Sequence, residues 1–356
     1  MLVEERGDEV LVSAGDNIFS GRWLVGCDGA HSAVRKSAGI GFTGTDPEFT
    51  GYSVVAALAN PDALAPGRHQ SGGGVYTFEA PDVIAMADFD GGAFHRSSPI
   101  TREHVEAVLR KVSGADVRVE SLDLAATWTD RSYQATEYRK GRVLLAGDAA
   151  HIHSPLGGQG LNLGLADAMN LGWKLAGVIR GDAPSDLLES YQQERHPVGA
   201  QILDWSRAQV ALMRPQPSSR ALRAIVHDLI ETRDGATYFA ERALGIGLRY
   251  DLSSSHPLIG RSAPDVHLSD GTRLNQHLRA GRGLLVAFDP MPKRRALARQ
   301  WHHRLDYLET GTTNQLGLSA LLLRPDGFVA WAIDAGADES ELAATIMRWF
   351  GLPSHQ

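Results

Sequence analysis

Val143, Leu144, Leu145 and Ala146 form an unbroken apolar run closed by Gly147. Continuous apolarity over so few residues predicts a strand buried on both faces, as in a parallel sheet. The period then changes. Leu161, Leu165, Ala168, Leu171, Leu175 and Ile179 recur at helical spacing, and Gly181 is placed to end that helix. The connection between strand and helix holds Pro155, Gly157, Gly158 and Gly160. Asp148 lies just past the strand's carboxyl end, where open α/β sheets hold their ligands. A shorter version of the same order occurs earlier: Trp23, Leu24 and Val25 lead into Cys27-Asp28-Gly29, then Ser32-Ala33-Val34-Arg35.

The remaining pattern divides the chain. Residues 1–12 alternate as a strand with a Gly7-Asp8 turn, and residues 20–26 read as one further strand. Strands are expected at 52–59, 75–78, 83–89 and 117–124, with a helix at 102–112 carrying Val105, Val108, Leu109 and Val112. Ser185 is placed to cap a helix running to Glu194, and Pro197 to open another over 198–213. Residues 218–247 add helix, with Leu222, Ile225, Leu229 and Ile230 as a stripe read as packing over a pocket mouth or as a dimer contact. Pro257 and Gly260 mark a linker. Beyond it, Arg324-Pro325-Asp326-Gly327 reads as a hairpin turn between two strands.

Composition narrows the function classes. The 356 residues are 43% hydrophobic and 22% charged, which suits two or three globular domains. Lys and Arg number 35 against 42 Asp and Glu, a formal charge of −7 with no basic stripe, so nucleic acid is not expected as a partner. No segment has the length and apolarity of a membrane span and no secretory signal opens the chain, so a cytoplasmic location is expected. Cys27 is the single cysteine. It is read as a small buried residue before a turn, not a redox centre, and it excludes an intramolecular disulfide.

The strand–acid–glycine–helix order carries its own chemistry. A helix start presents unpaired N–H groups and partial positive charge, which suit an anionic edge. Glycines let a flat ligand approach the backbone. A carboxylate at a strand end accepts hydrogen bonds from hydroxyls, so Asp148 suits a polyol chain better than a bare phosphate. His151-x-His153 could be read as a metal pair, but no third ligand is suitably spaced, and no metal is expected.

Gly147-Asp148-Ala149-Ala150-His151, followed by Pro155-Leu156-Gly157-Gly158-Gln159-Gly160-Leu161-Asn162, resembles the second FAD motif of the class A flavoprotein aromatic hydroxylases. Cys27-Asp28-Gly29, with Ser32 and Arg35 in register, resembles the same family's Asp-Gly motif. Three later stretches, at 263–265, 284–288 and 321–331, are similar to the thioredoxin-like C-terminal domain of its polyketide- and rifampicin-hydroxylase branch. A thioredoxin needs a C-x-x-C pair for exchange chemistry. With Cys27 elsewhere, a structural or assembly role is expected there.

The resemblance implies an α/β and α+β fold in several parts. A glutathione-reductase-type FAD-binding domain takes residues 1–48 and 128–200, and a substrate-covering antiparallel sheet takes 49–127. A helical segment follows at 201–256, and a thioredoxin-like domain without C-x-x-C at 257–356. It implies FAD as cofactor, NADPH or NADH as co-substrate, and a small aromatic or polyketide-type substrate hydroxylated by O2 through a flavin C4a-hydroperoxide. No side chain is expected to act as acid or base. Pro155 is expected to line the flavin. Asp28, Gly29, Arg35, Asp148, Gly157, Gly158, Gln159, Gly160, Leu161 and Asn162 are expected to bind it. A homodimer is left open. The family opens with a G-x-G-x-x-G unit that does not occur here, so on the order of a hundred residues are expected to be absent. The alternative reading is a catalytically incomplete fragment, or a non-catalytic subunit that needs a separate N-terminal half to bind FAD.

Overall fold

The structure, a computed structural model, describes all residues except 255, 313–316, 338 and 354–356. The chain forms two compact units: Met1–Leu163 with Gly199–Phe239, and Gly164–Val198 with Ala240–Gln356.

In the first unit, Leu2–Arg6, Glu9–Ala14 and Asn17–Gly21 form an antiparallel sheet whose first turn uses Gly7 at φ 60°. The single strand expected over 20–26 is thus split. Its first part closes this sheet, and Leu24–Gly26 crosses to pair in parallel with Val143–Leu145. The other edge of Val143–Leu145 pairs antiparallel with Arg139–Lys140.

A five-stranded antiparallel sheet follows in the order Val119–Thr129, Thr50–Leu58, Val83–Asp88, Val75–Glu79, Gly67–Gln70. Strand side chains alternate between faces. Tyr52, Val54, Ala56, Phe78, Ile84 and Met86 therefore share one face, which packs on Val105, Val108, Leu109 and Val112 of the helix Arg102–Ser113. That helix has the expected ends. The Thr101 side chain accepts from His104 N at 3.2 Å, and Gly114 closes it at φ 72°.

Two helical expectations change. Glu189–Met213 is one helix with Pro197 inside it, not two helices meeting there. Proline removes one backbone donor, but buried residues on both sides (Tyr191, Glu194 and Arg195 before it, Val198, Leu203 and Val210 after it) hold the helical path. Part of the apolar stripe of the helix Gln159–Arg180 is exposed: Leu161 is 75% and Leu165 55% accessible, while Leu171 is buried. Its buried positions include Asp167, Asn170 and Lys174, so the spacing marked a helix without marking its buried face. The Leu222, Ile225 and Leu229 stripe of the helix Pro217–Ile230 is also exposed.

The second unit explains those buried polar groups. Its sheet runs Leu305–Glu309, Gly283–Ala287, Leu318–Leu323, Val329–Asp334. The first two strands are parallel, joined through the helix Pro292–Arg299, and the others are antiparallel. With the closing helix Leu342–Phe350, this connectivity is consistent with a thioredoxin-like unit. Arg324, in the turn between the last two strands, is fully buried and bidentate to Glu194 at 2.7 and 2.9 Å. Lys174 Nζ donates to Glu194 at 3.0 Å and to Asn170 at 2.8 Å. Arg195 donates to Asp167 at 2.8 Å and to the Tyr250 hydroxyl at 3.2 Å. Buried charge persists because each ion has an opposite partner and further hydrogen bonds. Glu194 and Arg195 tie segments of the unit together.

Candidate functional site

The parallel register pairs Leu145 with Gly26, so Asp28 and Asp148 leave their strands at the same end of the sheet. Ala146 N donates to Gly26 O at 3.0 Å, extending the ladder by one step. Gly26 is required there. A Cβ would sit 2.8 Å from Val34 and 2.9 Å from Leu145, because the helix Ala33–Ser37 lies directly on the strand end.

The two acidic turns are joined by Arg35. It is buried, and its guanidinium donates to Ala149 O at 2.7 Å and Ala30 O at 3.0 Å. It also lies 3.7 Å over the Phe42 ring. Desolvation lowers its pKa, opposed by the Asp28 charge. Arg35 thus faces inward, between the turns. Asp28 is exposed, and its carboxylate accepts from Ser32 Oγ at 2.5 Å, Ala33 N at 2.6 Å and Val34 N at 3.1 Å. Burial pushes its pKa up, but Ser32 and the helix amides outweigh this and leave it below the ordinary value. Cys27 is exposed, a correction to its expected burial: pairing ends at Gly26, and Cys27 already belongs to the turn.

Asp148 differs from Asp28. It sits in a short turn, Gly147–Ala149, opened by Gly147 at φ 62°. It is exposed, and among the described residues it takes no hydrogen bond from the chain. Next along the chain is the glycine connection. Pro155 is exposed, and Gly157 and Gly158 adopt φ of 74° and 67° in the turn Leu156–Gly158, a region that favours glycine. A Cβ on Gly158 or Gly29 would meet nothing within 4 Å. The helix then starts at Gln159 with no acidic residue in its first turn, and Leu161 and Asn162 are exposed. Beneath it, His153 Nδ1 bonds Ser154 O at 2.7 Å, while its Nε2 is buried without a partner, 3.6 Å from a Cβ built on Gly160. Burial pushes the His153 pKa down, favouring the neutral ring. Among the described residues no group of three or more His, Cys, Asp or Glu is placed to hold a metal.

Sequence reasoning did not resolve the wall opposite the turn. On the face of the five-stranded sheet away from its helix, Trp128, Gly51, Ala87 and Val75 stand in one row. Leu156, from the glycine turn, packs on the cluster containing Val75, Ala87, Phe49, Met213, Phe89 and Trp128. The Trp128 ring lies over Gly51, where a Cβ would come within 2.3 Å of it, and its Nε1 donates to Ser53 Oγ at 3.2 Å. Glycine inside a strand pattern was the available signal of such a close approach. His95 and Arg96, in the same unit, are engaged: His95 Nδ1 lies 3.0 Å from Thr127 Oγ1, and Arg96 Nη1 lies 3.1 Å from His31 Nε2, beside the Asp28 turn.

These groups fit FAD by their chemistry. An exposed carboxylate suits hydroxyls, open space lies over Gly29 and Gly158, and a helix start with no acidic residue in its first turn suits an anionic edge. Residues 8–206 match the FAD binding domain family, and residues 256–353 match the aromatic-ring hydroxylase C-terminal family. A protein named as a monooxygenase from Claviceps purpurea is 46% identical over 99% of this chain and 69% of its own length. Rifampicin monooxygenase of Streptomyces venezuelae is 37% identical over 98% of this chain and 72% of its own. The structure of the OxyS anhydrotetracycline hydroxylase from Streptomyces rimosus superposes with a TM-score of 0.88 at 36% identity, covering 99% of this chain and 75% of that one.

Proposed function

This chain belongs to the class A flavoprotein aromatic hydroxylases, and we propose that it hydroxylates a multi-ring phenol or polyketide, with the two acid-tipped parallel strands and the glycine turn as its flavin cradle. It is an FAD-dependent monooxygenase that consumes a nicotinamide dinucleotide. The observation that carries the cradle is the parallel pairing of Leu24–Gly26 with Val143–Leu145, which brings Asp28 and Asp148 to one sheet end.

When bound, FAD would supply the oxygen chemistry, in which a reduced nicotinamide provides two electrons, one atom of O2 enters the substrate and the other leaves as water. The chain's residues bind, orient and exclude water. Asp148 accepts from the ribityl hydroxyls. Gln159 and the backbone amides of Gly160, Leu161 and Asn162 would hold the negative edge of the flavin. Gly29, Gly157 and Gly158 give the ring system close approach, and Pro155 lines it. Asp28 and Arg35 act by holding the two turns in place. Residues 49–127 form the wall that shields the reacting ring from water. We assign 1–48 and 128–200 to cofactor binding and 257–356 to a structural role, and we place the protein in the cytoplasm. The exposed stripe on Pro217–Ile230 is where a dimer contact would form.

FAD titration of the purified protein tests the cradle. Asp148→Ala is expected to weaken FAD binding about tenfold or more, the loss of charge-assisted hydrogen bonds. Unchanged retention would remove Asp148 from the site.

A further inference from the structure

Two side chains under the glycine connection keep buried polar atoms without a partner. His153 Nε2 and Ser154 Oγ make no hydrogen bond among the described residues. They belong to a wider polar seam. Strand pairing sets Gln134 against His151 and Tyr133 against Ile152, which brings Ser132 level with His153. Ser132 Oγ is also buried and unpartnered, as is Ser206 Oγ of the helix Glu189–Met213. That helix closes the seam. Arg207 Nη2 donates to Ser132 O at 3.2 Å, and the Gln209 amide comes 3.8 Å from a Cβ built on Gly157. His153 reaches the start of the next helix, with Nε2 3.6 Å from a Cβ built on Gly160.

Geometry sets the resting form of this ring. Nδ1 lies 2.7 Å from Ser154 O, and a carbonyl only accepts, so Nδ1 carries a hydrogen. A second hydrogen on Nε2 would be a buried donor with no acceptor, which costs free energy. The ring is therefore neutral, with a bare lone pair. Burial pushes its pKa down; the Ser154 carbonyl and the Asp148 charge oppose this, and His151 adds to it. The charges on packed elements are already engaged. Arg207 is held by Asp204 at 2.8 Å, and Tyr133, on the paired strand, donates to Asp46 at 2.8 Å.

The proposed function puts the negative edge of the flavin at the amides of Gly160, Leu161 and Asn162, the same helix start. A negative charge close to a histidine raises its pKa by about one unit or more. We propose that His153 is a positioning residue that balances charge, neutral beside oxidised flavin and protonated at Nε2 when the reduced ring carries a negative charge. The proposal rests on the cradle reading above. Two electrons and one hydrogen reach the ring as hydride from the nicotinamide, which is left oxidised. Solvent gives one proton to Nε2, so an N–H bond forms as a solvent O–H bond breaks.

Nitrogen NMR of the histidine rings in the FAD-loaded protein tests this, first oxidised and then reduced anaerobically with dithionite, at about pH 7.5. His153→Gln identifies the ring's signals by their loss, with His153→Phe as a second variant for the same purpose. The oxidised protein is expected to show Nδ1 protonated and Nε2 bare, and the reduced protein to show both protonated. The midpoint potential of the bound flavin is expected to fall with pH more steeply in wild type than in His153→Gln, by up to one proton per two electrons. A histidine with a merely structural role would change neither. A ring neutral in both states, a ring charged in both, or equal slopes would overturn the proposal. Loading separates the two readings. A wild type that takes up no FAD overturns both, whereas normal loading with an unchanged ring removes His153 alone.

Discussion

At the scale of single residues, two aspartates in matching motifs have different surroundings. Both come after a short apolar run, and the sequence marked both as ligand positions. Only the folded chain shows that Asp28 satisfies its own helix start while Asp148 stays exposed. The difference lies in the residues downstream of each. Ser32 and the first helical amides reach back to Asp28, whereas the turn after Asp148 brings no donor to it. The Asp28 pKa is held low in the folded state, so its stabilisation is present above the unfolded value and is lost as pH falls through the folded one. Asp28→Asn is therefore expected to melt below wild type at neutral pH, with the gap narrowing as pH falls below about 3.9, the ordinary aspartate value. Thermal melts across that range check this; a gap independent of pH would assign the effect to shape instead of charge.

At the scale of elements, the longest helices show what periodicity can and cannot decide. Spacing marked the extent of Gln159–Arg180, but Leu161 and Leu165 of its apolar stripe are exposed, whereas Asp167, Asn170 and Lys174 are buried beside Leu171. Pro197 suggests a break inside Glu189–Met213, yet packing on either side keeps it one helix. Just past that proline, Gly199 lets the helix pass close to the Tyr138 hydroxyl and the Gln134 amide, which bond each other at 2.8 Å. A Cβ there would lie 2.4 Å from the hydroxyl and 2.6 Å from the amide nitrogen. Gly199→Ala is expected to destabilise by about 1–3 kcal/mol despite its better helix propensity, because overpacking outweighs it. Urea unfolding measures this, and a stabilised variant would contradict the close approach.

At the scale of the whole molecule, the second unit is built from stretches far apart in the chain, and its buried ions join them. Arg324 meets Glu194 across 130 residues. Arg324→Met leaves Glu194 and Asp326 short of their main counter-charge, an expected cost of about 3–5 kcal/mol in chemical unfolding. Lys174→Met is expected to cost less, since Arg324 still pairs Glu194. Lys174 also predicts a pH signature. Desolvation, opposed chiefly by Glu194, brings its folded pKa down to about 7, below the unfolded value of about 10.4. The unfolded chain binds the extra proton between these values, so wild-type stability relative to Lys174→Met rises with pH across that window. A flat difference would show that Lys174 stays charged when folded. The two strand–acid–turn motifs, the strand periods and the C-terminal hairpin were readable from residue order, because each is set by neighbours within a few turns of chain. Which helix face is buried, where Trp128 lies and why Arg324 can be internal were decided by tertiary structure. Each of those depends on a partner supplied by a distant segment, and local pattern carries no record of it.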